Sequence, residues 1–96
     1  MPATGLLLAP AVPNPFAAGT DVSFVVPDGR ARVSLKVYDA RGRRVRTLVD
    51  AVLPGGVHRA RWDGKNSAGA AVASGVYFCR LSAAGESVTR RVVLLR

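Results

Sequence analysis

Apolar and polar side chains alternate along most of this chain, and this alternation limits the folds that it can adopt. In residues 20–26, for example, Val22, Phe24 and Val26 fall on one side of an extended backbone and the residues between them on the other. No window of the sequence shows the apolar period of about 3.6 residues that marks an amphipathic helix. The pattern therefore predicts an all-β domain in which each strand buries one face.

Turn residues divide the alternating pattern into about seven short strands. The predicted strands occupy residues 6–12, 20–26, 31–38, 43–53, 57–62, 76–81 and 87–96. The segments 27–29 and 54–56, which contain proline and glycine, are expected to turn the chain, and segment 39–42 is expected to form a tight hairpin. In the fourth predicted strand the apolar residues do not keep a period of two, which predicts a bulge. Short strands separated by turns favour a single antiparallel β-sandwich.

The connection after Trp62 is long for a hairpin and rich in small, turn-forming residues. The side chains of Asp63 and Asn66 are expected to accept hydrogen bonds from backbone amides and so to hold the turn, with Val72 as its apolar plug. A calcium loop is the alternative interpretation, but this segment has one carboxylate, no EF-hand spacing and a cation, Lys65, inside it. A structural turn is therefore favoured over a metal site.

The balance of charge is strongly basic, with 14 lysine and arginine residues against 6 acidic residues and a formal net charge of +8. Such a charge favours anionic partners, which include nucleic acid, lipopolysaccharide, an acidic membrane surface and acidic glycans. The candidate patch for such a partner is formed by Arg41, Arg43, Arg44 and Arg46. Nucleic-acid readers usually place stacking aromatic rings among their cations, and Tyr38 is the only nearby candidate, so nucleic acid is disfavoured. A solvated surface or attraction to lipopolysaccharide fits better.

No set of residues in the sequence forms a catalytic or metal-binding constellation. His58 is the only histidine and Cys79 the only cysteine, so neither a zinc site nor an internal disulfide can be assembled. Both residues lie in predicted strands, where a structural role is expected. The serines lack the strand-to-helix elbow of a hydrolase nucleophile. The sequence therefore predicts no enzymatic activity and no cofactor, and it has no apolar run long enough to span a membrane as a helix.

Residues 1–13 are rich in proline and alanine and are expected to form an extended N-terminal arm or linker, followed by the β-sandwich at residues 14–96. Leu6, Leu7, Leu8 and Val12 are the apolar members of the arm and are expected to lie along an edge of the sheet. The arm either folds back on its own sheet or is donated to a neighbouring subunit. The sequence leaves both arrangements open.

Four motifs in order carry a resemblance to a known family. They are P-N-P-F at residues 13–16, V-Y-D-A-R-G-R at 37–43, W-D-G at 62–64 and S-G-V-Y at 74–77. Together they resemble the immunoglobulin-like C-terminal domain of many secreted bacterial proteins. That family includes the type IX secretion (Por) C-terminal sorting domains and the Ig-like domain of the flagellar hook-capping protein. The resemblance covers about residues 7–96 and implies an immunoglobulin-like, fibronectin type III-like sandwich.

The resemblance also implies a function, that of a non-catalytic module of a protein that is secreted or held at the outer-membrane surface. Sorting domains of this kind are recognised by the outer-membrane translocon, and they are often cleaved as the cargo is attached to anionic lipopolysaccharide. The last strand would then carry the sorting signal, in Thr89, Arg90, Arg91, Val92, Val93, Leu94, Leu95 and Arg96.

Two other functions stay open. The same fold would suit a self-assembling structural subunit of an extracellular filament or surface layer, built by strand donation or by side-to-side packing of identical subunits. A glycan-binding accessory module would need exposed aromatic residues on one face, and only Tyr38 and Phe78 are expected to point outward.

Overall fold

Two long strands paired with each other form the centre of the fold, which the computed structural model describes for residues 5–96. The strands are β1 (Leu7–Leu8), β2 (Thr20–Asp39), β3 (Arg44–Trp62), β4 (Gly75–Ala83) and β5 (Glu86–Leu94). All pairings between these strands are antiparallel: β2 pairs with β1, β3 and β4, and β4 pairs with β5. No helix occurs in this part of the chain, so the predicted all-β class is confirmed. The start of the predicted arm, residues 1–4, lies outside the described residues.

Segments 27–29 and 54–56 do not turn the chain, so this part of the prediction is wrong. Each segment is a bend inside a continuous strand, and the predicted seven strands become five within the described residues. Predicted strands 20–26 and 31–38 are both parts of β2, and predicted strands 43–53 and 57–62 merge in β3. The reason is that the two bends lie opposite each other in paired strands, so that the ladder of backbone hydrogen bonds continues on both sides of them.

The bend itself depends on a close approach of the two backbones. Segment 27–29 of β2 bulges opposite the single residue Gly55 of β3, where the register between the two strands shifts. A Cβ atom on Gly55 would lie 2.6 Å from the carbonyl oxygen of Pro27, which no real side chain tolerates. Gly55 is therefore required by the crossing of the strands, although the sequence alone made it look like a turn residue.

A second irregularity in the pairing of β2 with β3 confirms the predicted bulge. Leu48 has no partner, because Leu35 pairs with Val49 while the next residue, Lys36, pairs with Thr47. A further register shift follows close to the hairpin. These extra residues increase the twist and bend of the long strands and so help the sheet to curl.

The bends divide the sheet into two halves that fold towards each other. The first half-sheet contains β1 with residues 20–26 and 56–62, and the second half-sheet contains residues 30–39 and 44–54 with β4 and β5. The two ends of the curled sheet meet at Phe16, whose N–H donates to the oxygen of Val93 at 2.9 Å and whose oxygen accepts from the N–H of Leu95 at 2.8 Å. The sheet thus forms a half-barrel that encloses the core.

The core lies inside the curl and is centred on Trp62. This side chain is 0% exposed, and its ring centroid lies 5.3 Å from that of Phe16 and 5.1 Å from that of Tyr77. Its indole N–H donates to the oxygen of Lys65 at 3.0 Å, which satisfies the one polar atom of the ring. The remaining large, fully buried apolar residues are Leu8, Val22, Phe24, Val26, Val33, Leu35, Val37, Leu81, Val92 and Leu94. They come from both half-sheets, so each half completes the burial of the other.

The connection after Trp62 is held by side-chain caps, as predicted. The Oδ1 atom of Asp63 accepts the N–H of Lys65 at 3.1 Å. The Oδ1 atom of Asn66 accepts two backbone amides, those of Ala68 and Ala70, at 3.0 Å each. These bonds satisfy polar backbone groups that have no partner in the sheet, and they fix the turn.

Candidate interaction surface

The outward-facing side of the second half-sheet, called the outer face below, carries charged and aromatic side chains in regular rows. Val33, Leu35 and Val37 of β2 point into the core, so the residues between them point outward. Residues that pair across an antiparallel ladder lie side by side on the same face, so the register defines the rows. The first row is Arg44, Tyr38, Phe78 and Arg91; the second is Thr47, Lys36, Arg80 and Thr89; the third is Asp50, Ser34, Ser82 and Ser87.

The first row places two aromatic rings between two arginines. Tyr38 pairs with both Arg44 and Phe78, and Phe78 pairs with Arg91. Because neighbouring strands lie about 4.8 Å apart, the backbones that carry the two arginines are about 14 Å apart. The rings are half-buried and the arginines are exposed. Neither arginine belongs to an ion pair within residues 5–96.

The second row brings two cations directly opposite each other. Lys36 pairs with Arg80 across β2 and β4, and threonines flank the pair on both sides. Like charges in this position destabilise a sheet by roughly 0.2–1 kcal/mol. Within the described residues no carboxylate compensates either cation, and Arg80 donates a hydrogen bond to the hydroxyl of Ser87 at 3.4 Å. The sheet therefore carries an uncompensated positive charge at its centre.

The third row forms a shallow depression rich in hydroxyl groups. Ser34, Ser82 and Ser87 line it together with the hairpin between β4 and β5, and its volume is about 380 Å³. The acidic member of the row, Asp50, is neutralised by Arg32 through an exposed ion pair of 2.8 Å. The depression opens towards the cations of the second row, with Arg80 on its wall.

The four arginines of the predicted patch differ in their charge partners. Arg43 pairs with Asp39 at 3.1 Å, and Arg46 pairs with Asp63 at 3.0 Å, so both cations are compensated. Arg41 lies exposed in the predicted hairpin 39–42, which is confirmed. Of the four arginines, only Arg44 belongs to the outer face. The sequence shows their charges but not which carboxylates fold beside them.

The carboxylates in these pairs are shifted towards the ionised form. The backbone N–H of Arg43 is the largest influence on Asp39, and with the other contacts it lowers the pKa of that carboxyl below 3.8, against the opposing effect of burial. Partial burial acts to raise the pKa of Asp63, but the Lys65 amide and the charge of Arg46 outweigh it, and the net pKa is lowered. Both residues therefore serve as structural caps rather than as proton donors.

The N-terminal arm folds back on its own sheet in this structure. Leu7 pairs with Val25 and Leu8 with Phe24, and Val12 makes a bridge further along β2. Leu6 and Leu8 are buried, whereas Leu7 and Val12 are 62% and 66% exposed. The arm is also tied to β5, because Nε of Arg90 donates to the oxygen of Leu8 at 2.7 Å. Half of its predicted apolar members therefore serve the core of the same chain.

The predicted sorting strand is partly structural. Val92 and Leu94 are buried, and Arg90 is engaged with the arm. The exposed residues are Thr89, Arg90, Arg91, Leu95 and Arg96, while Val93 is partly buried. A partner that recognises this strand would therefore have to contact its outward-facing side chains or the segment that follows β5.

Arg96 ties the end of β5 to the long connection. Its guanidinium donates to the oxygen of Gly64 at 2.9 Å and to the oxygen of Val72, and its N–H donates to Oγ of Ser74 at 3.0 Å. Val72 packs partly buried against the core, as its predicted role requires. The guanidinium thus satisfies two backbone carbonyls that have no strand partner.

The contacts of the titratable side chains in and beside the core indicate structural roles. Burial raises the pKa of the Cys79 thiol to about 11, which keeps it protonated and unreactive. The hydroxyl of Tyr77 donates to the oxygen of Ala73 at 2.6 Å, an arrangement like the tyrosine corner of immunoglobulin folds. The ring of His58 stacks on Phe24, with centroids 5.5 Å apart, and its Nε2 lies 2.8 Å from a backbone oxygen. The structural, hydrogen-bonded role predicted for this histidine agrees with these contacts.

Neither a metal-binding cluster nor a membrane-spanning helix is found among the described residues. Within residues 5–96, no group of three or more histidine, cysteine, aspartate or glutamate side chains comes together to hold a metal ion. The same residues include no helix long and apolar enough to cross a membrane.

Comparison with known proteins identifies related domains. The chain matches the family described as the FlgD Ig-like domain over residues 11–87. None of the curated proteins searched matches it. Among solved structures, FlgD from P. aeruginosa is similar with a TM-score of 0.58 and 26% identity, over 79% of this chain and 60% of that one.

Two larger proteins of Porphyromonas gingivalis contain the same fold. Dimeric latent PorU matches 94% of this chain with a TM-score of 0.73 and 18% identity. PorZ, a surface component of the type IX secretion system, matches 96% of it with a TM-score of 0.60 and 23% identity. The chain spans only 9% and 12% of these two proteins, so the similarity concerns the fold of one domain.

Proposed function

Because this chain belongs to the FlgD Ig-like domain family, we propose that it is a non-catalytic module of a secreted or surface-exposed bacterial protein. Its proposed role is in sorting across the outer membrane by a type IX machinery and in attachment to the cell surface, where anionic lipopolysaccharide is the proposed anchor. The observation that carries this proposal is the similarity to a domain of PorU over 94% of the chain. The similarity to PorZ, a surface component of that secretion system, supports it.

The exposed side chains of β5 and of the residues after it are the part of the module that a translocon would contact. Leu95 is the best probe, because it is 55% exposed although large and apolar. Val57 provides a matched control, because it is also apolar and exposed but lies on the first half-sheet. Neither side chain belongs to the core, so replacing either with serine leaves the fold intact.

The experiment fuses the chain behind a periplasmic reporter in a bacterium with an active type IX system. We expect the reporter to reach the cell surface, where added protease removes it from intact cells. Leu95→Ser is expected to reduce surface delivery several-fold, while Val57→Ser leaves it unchanged. A reporter that stays periplasmic with the unaltered chain refutes the sorting role.

A second candidate function, self-assembly by identical subunits, is supported by an exposed apolar row on the first half-sheet. Leu7, Val25 and Val57 are side by side in the register, and Leu7 and Val57 are 62% and 77% exposed. Such a row favours side-to-side packing of subunits. Light scattering over a range of protein concentrations tests it: assembly should depend on concentration and be abolished by Val57→Lys. A monomer at every concentration excludes this function.

A further inference from the structure

We propose that the outer face binds an acidic polysaccharide, with its acidic groups on the cations of the first and second rows and a sugar ring over Tyr38 and Phe78. This binding site does not depend on the sorting or assembly roles, although the anionic lipopolysaccharide of the proposed function would be one ligand of this class. It rests on the juxtaposition of uncompensated cations, two neighbouring rings and a hydroxyl-lined depression on one side of one half-sheet.

The first argument is charge. The outer face carries the cations Arg32, Lys36, Arg44, Arg80 and Arg91, and the only carboxylate in its rows is that of Asp50. Asp50 is already occupied by Arg32, so the remaining cations face solvent without an anion. A polyanion would remove the unfavourable opposition of Lys36 and Arg80, and the planar guanidinium groups can each bind a carboxylate through two N–H donors.

The second argument concerns the two rings. Tyr38 and Phe78 are direct cross-strand neighbours, and such pairs have Cβ atoms roughly 5 Å apart, so they form one continuous apolar strip. The rings are half-buried between the flanking side chains. The C–H face of a sugar ring can pack on such an apolar strip. Proteins that bind single-stranded nucleic acid stack successive bases on a series of aromatic side chains, whereas the rows of the outer face hold one pair of rings beside a hydroxyl-lined depression, which favours a polysaccharide.

The third argument is the polar depression beside the cations. The hydroxyls of Ser34, Ser82 and Ser87 can each donate and accept hydrogen bonds, as the hydroxyls of a sugar require. The depression of about 380 Å³ is continuous with the second row through Arg80. Glu86 stands at its hairpin end and would repel an acidic group there. The polysaccharide should therefore place neutral hydroxyls in the depression and its acidic groups towards the first two rows.

Calorimetric titration of the full chain with polygalacturonate tests this proposal, with neutral dextran and oligothymidylate as comparison ligands. We expect binding of polygalacturonate, at least tenfold weaker binding of dextran, and loss of most affinity between about 0.05 M and about 0.5 M salt. Failure to bind polygalacturonate at low salt overturns the proposal. Dextran binding of equal strength, or tighter binding of oligothymidylate, overturns it as well.

Matched variants locate the site. Arg80→Ser and Arg59→Ser each remove one exposed cation, the first from the outer face and the second from the first half-sheet. We expect about fivefold weaker binding for Arg80→Ser and less than twofold for Arg59→Ser. Phe78→Leu keeps the apolar cover but removes a ring, and it is expected to weaken binding at least threefold. Equal effects of the two arginine variants would show non-specific charge attraction and reject the site.

Discussion

Replacing Asn14 with alanine should weaken the seam at which the curled sheet closes. The Nδ2 of Asn14 donates to the oxygen of Arg91 at 3.2 Å, and its Oδ1 accepts the N–H of Val93 at 2.9 Å. This one side chain therefore imitates a strand partner for β5. Each bond contributes a net free energy of about 0.5–1.5 kcal/mol, and water can partly replace exposed bonds, so the expected loss for Asn14→Ala is about 1–2 kcal/mol.

A loss of that size is easily measured. For a domain of this length, 1 kcal/mol lowers the melting temperature by about 4–8 °C, so the variant should melt roughly 4–16 °C lower. Asn14→Asp is the matched comparison, because it keeps the acceptor for Val93 but loses the donor to Arg91 and places a carboxylate oxygen near that carbonyl oxygen. Thermal melts and hydrogen exchange of the Val93 amide provide the two readouts.

The expected order of melting temperature is wild type, then Asn14→Asp, then Asn14→Ala, with faster exchange of the Val93 amide in the alanine variant. An alanine variant that melts within about 2 °C of the wild type, with unchanged protection at Val93, would refute the reasoning. The backbone bonds of Phe16 would then close the seam without help from the side chain.

Three further predictions concern the core, the bend and pH. Gly55→Ala should lower the free energy of unfolding by at least about 1–3 kcal/mol in chemical denaturation, because its Cβ would meet the Pro27 oxygen at 2.6 Å. The thiol of Cys79, with its pKa raised to about 11, should resist iodoacetamide at pH about 8 in the native protein and react once the protein is unfolded. The pKa of Asp63 is lowered below 3.8, so the stability it provides is present above that value and is lost as the pH falls further. The melting temperature of Asp63→Asn should therefore lie below that of the wild type at neutral pH, and the difference should shrink as the pH falls and the lowered pKa of Asp63 is passed.

The core could be predicted from the sequence because its signal is local. Val22, Phe24 and Val26 alternate with polar residues, and all three are buried, as the alternation indicated. The caps at Asp63 and Asn66 were predicted for the same reason, since each bonds backbone amides within four residues of itself.

The turn signals at 27–29 and 54–56 misled the prediction, because proline and glycine report a local change of backbone direction and not its extent. Whether such a change becomes a reversal or a bulge depends on the strand alongside. Here the two segments face each other, with Gly55 against Pro27, and the pairing carries both strands through the bend.

Alternation along the chain, which needs only neighbours in sequence, is enough to specify strands, their buried faces and the all-β class. Which strands lie side by side is a different matter, because register is set by long-range packing around Trp62 and by the bulges of β2 and β3. That register brought Tyr38 next to Phe78 and Lys36 opposite Arg80. The tertiary structure also placed carboxylates beside Arg43 and Arg46, and these carboxylates compensate the two positive charges. The outer face is therefore a product of the tertiary structure, assembled in part from side chains, such as Tyr38 and Phe78, whose outward direction the sequence predicted.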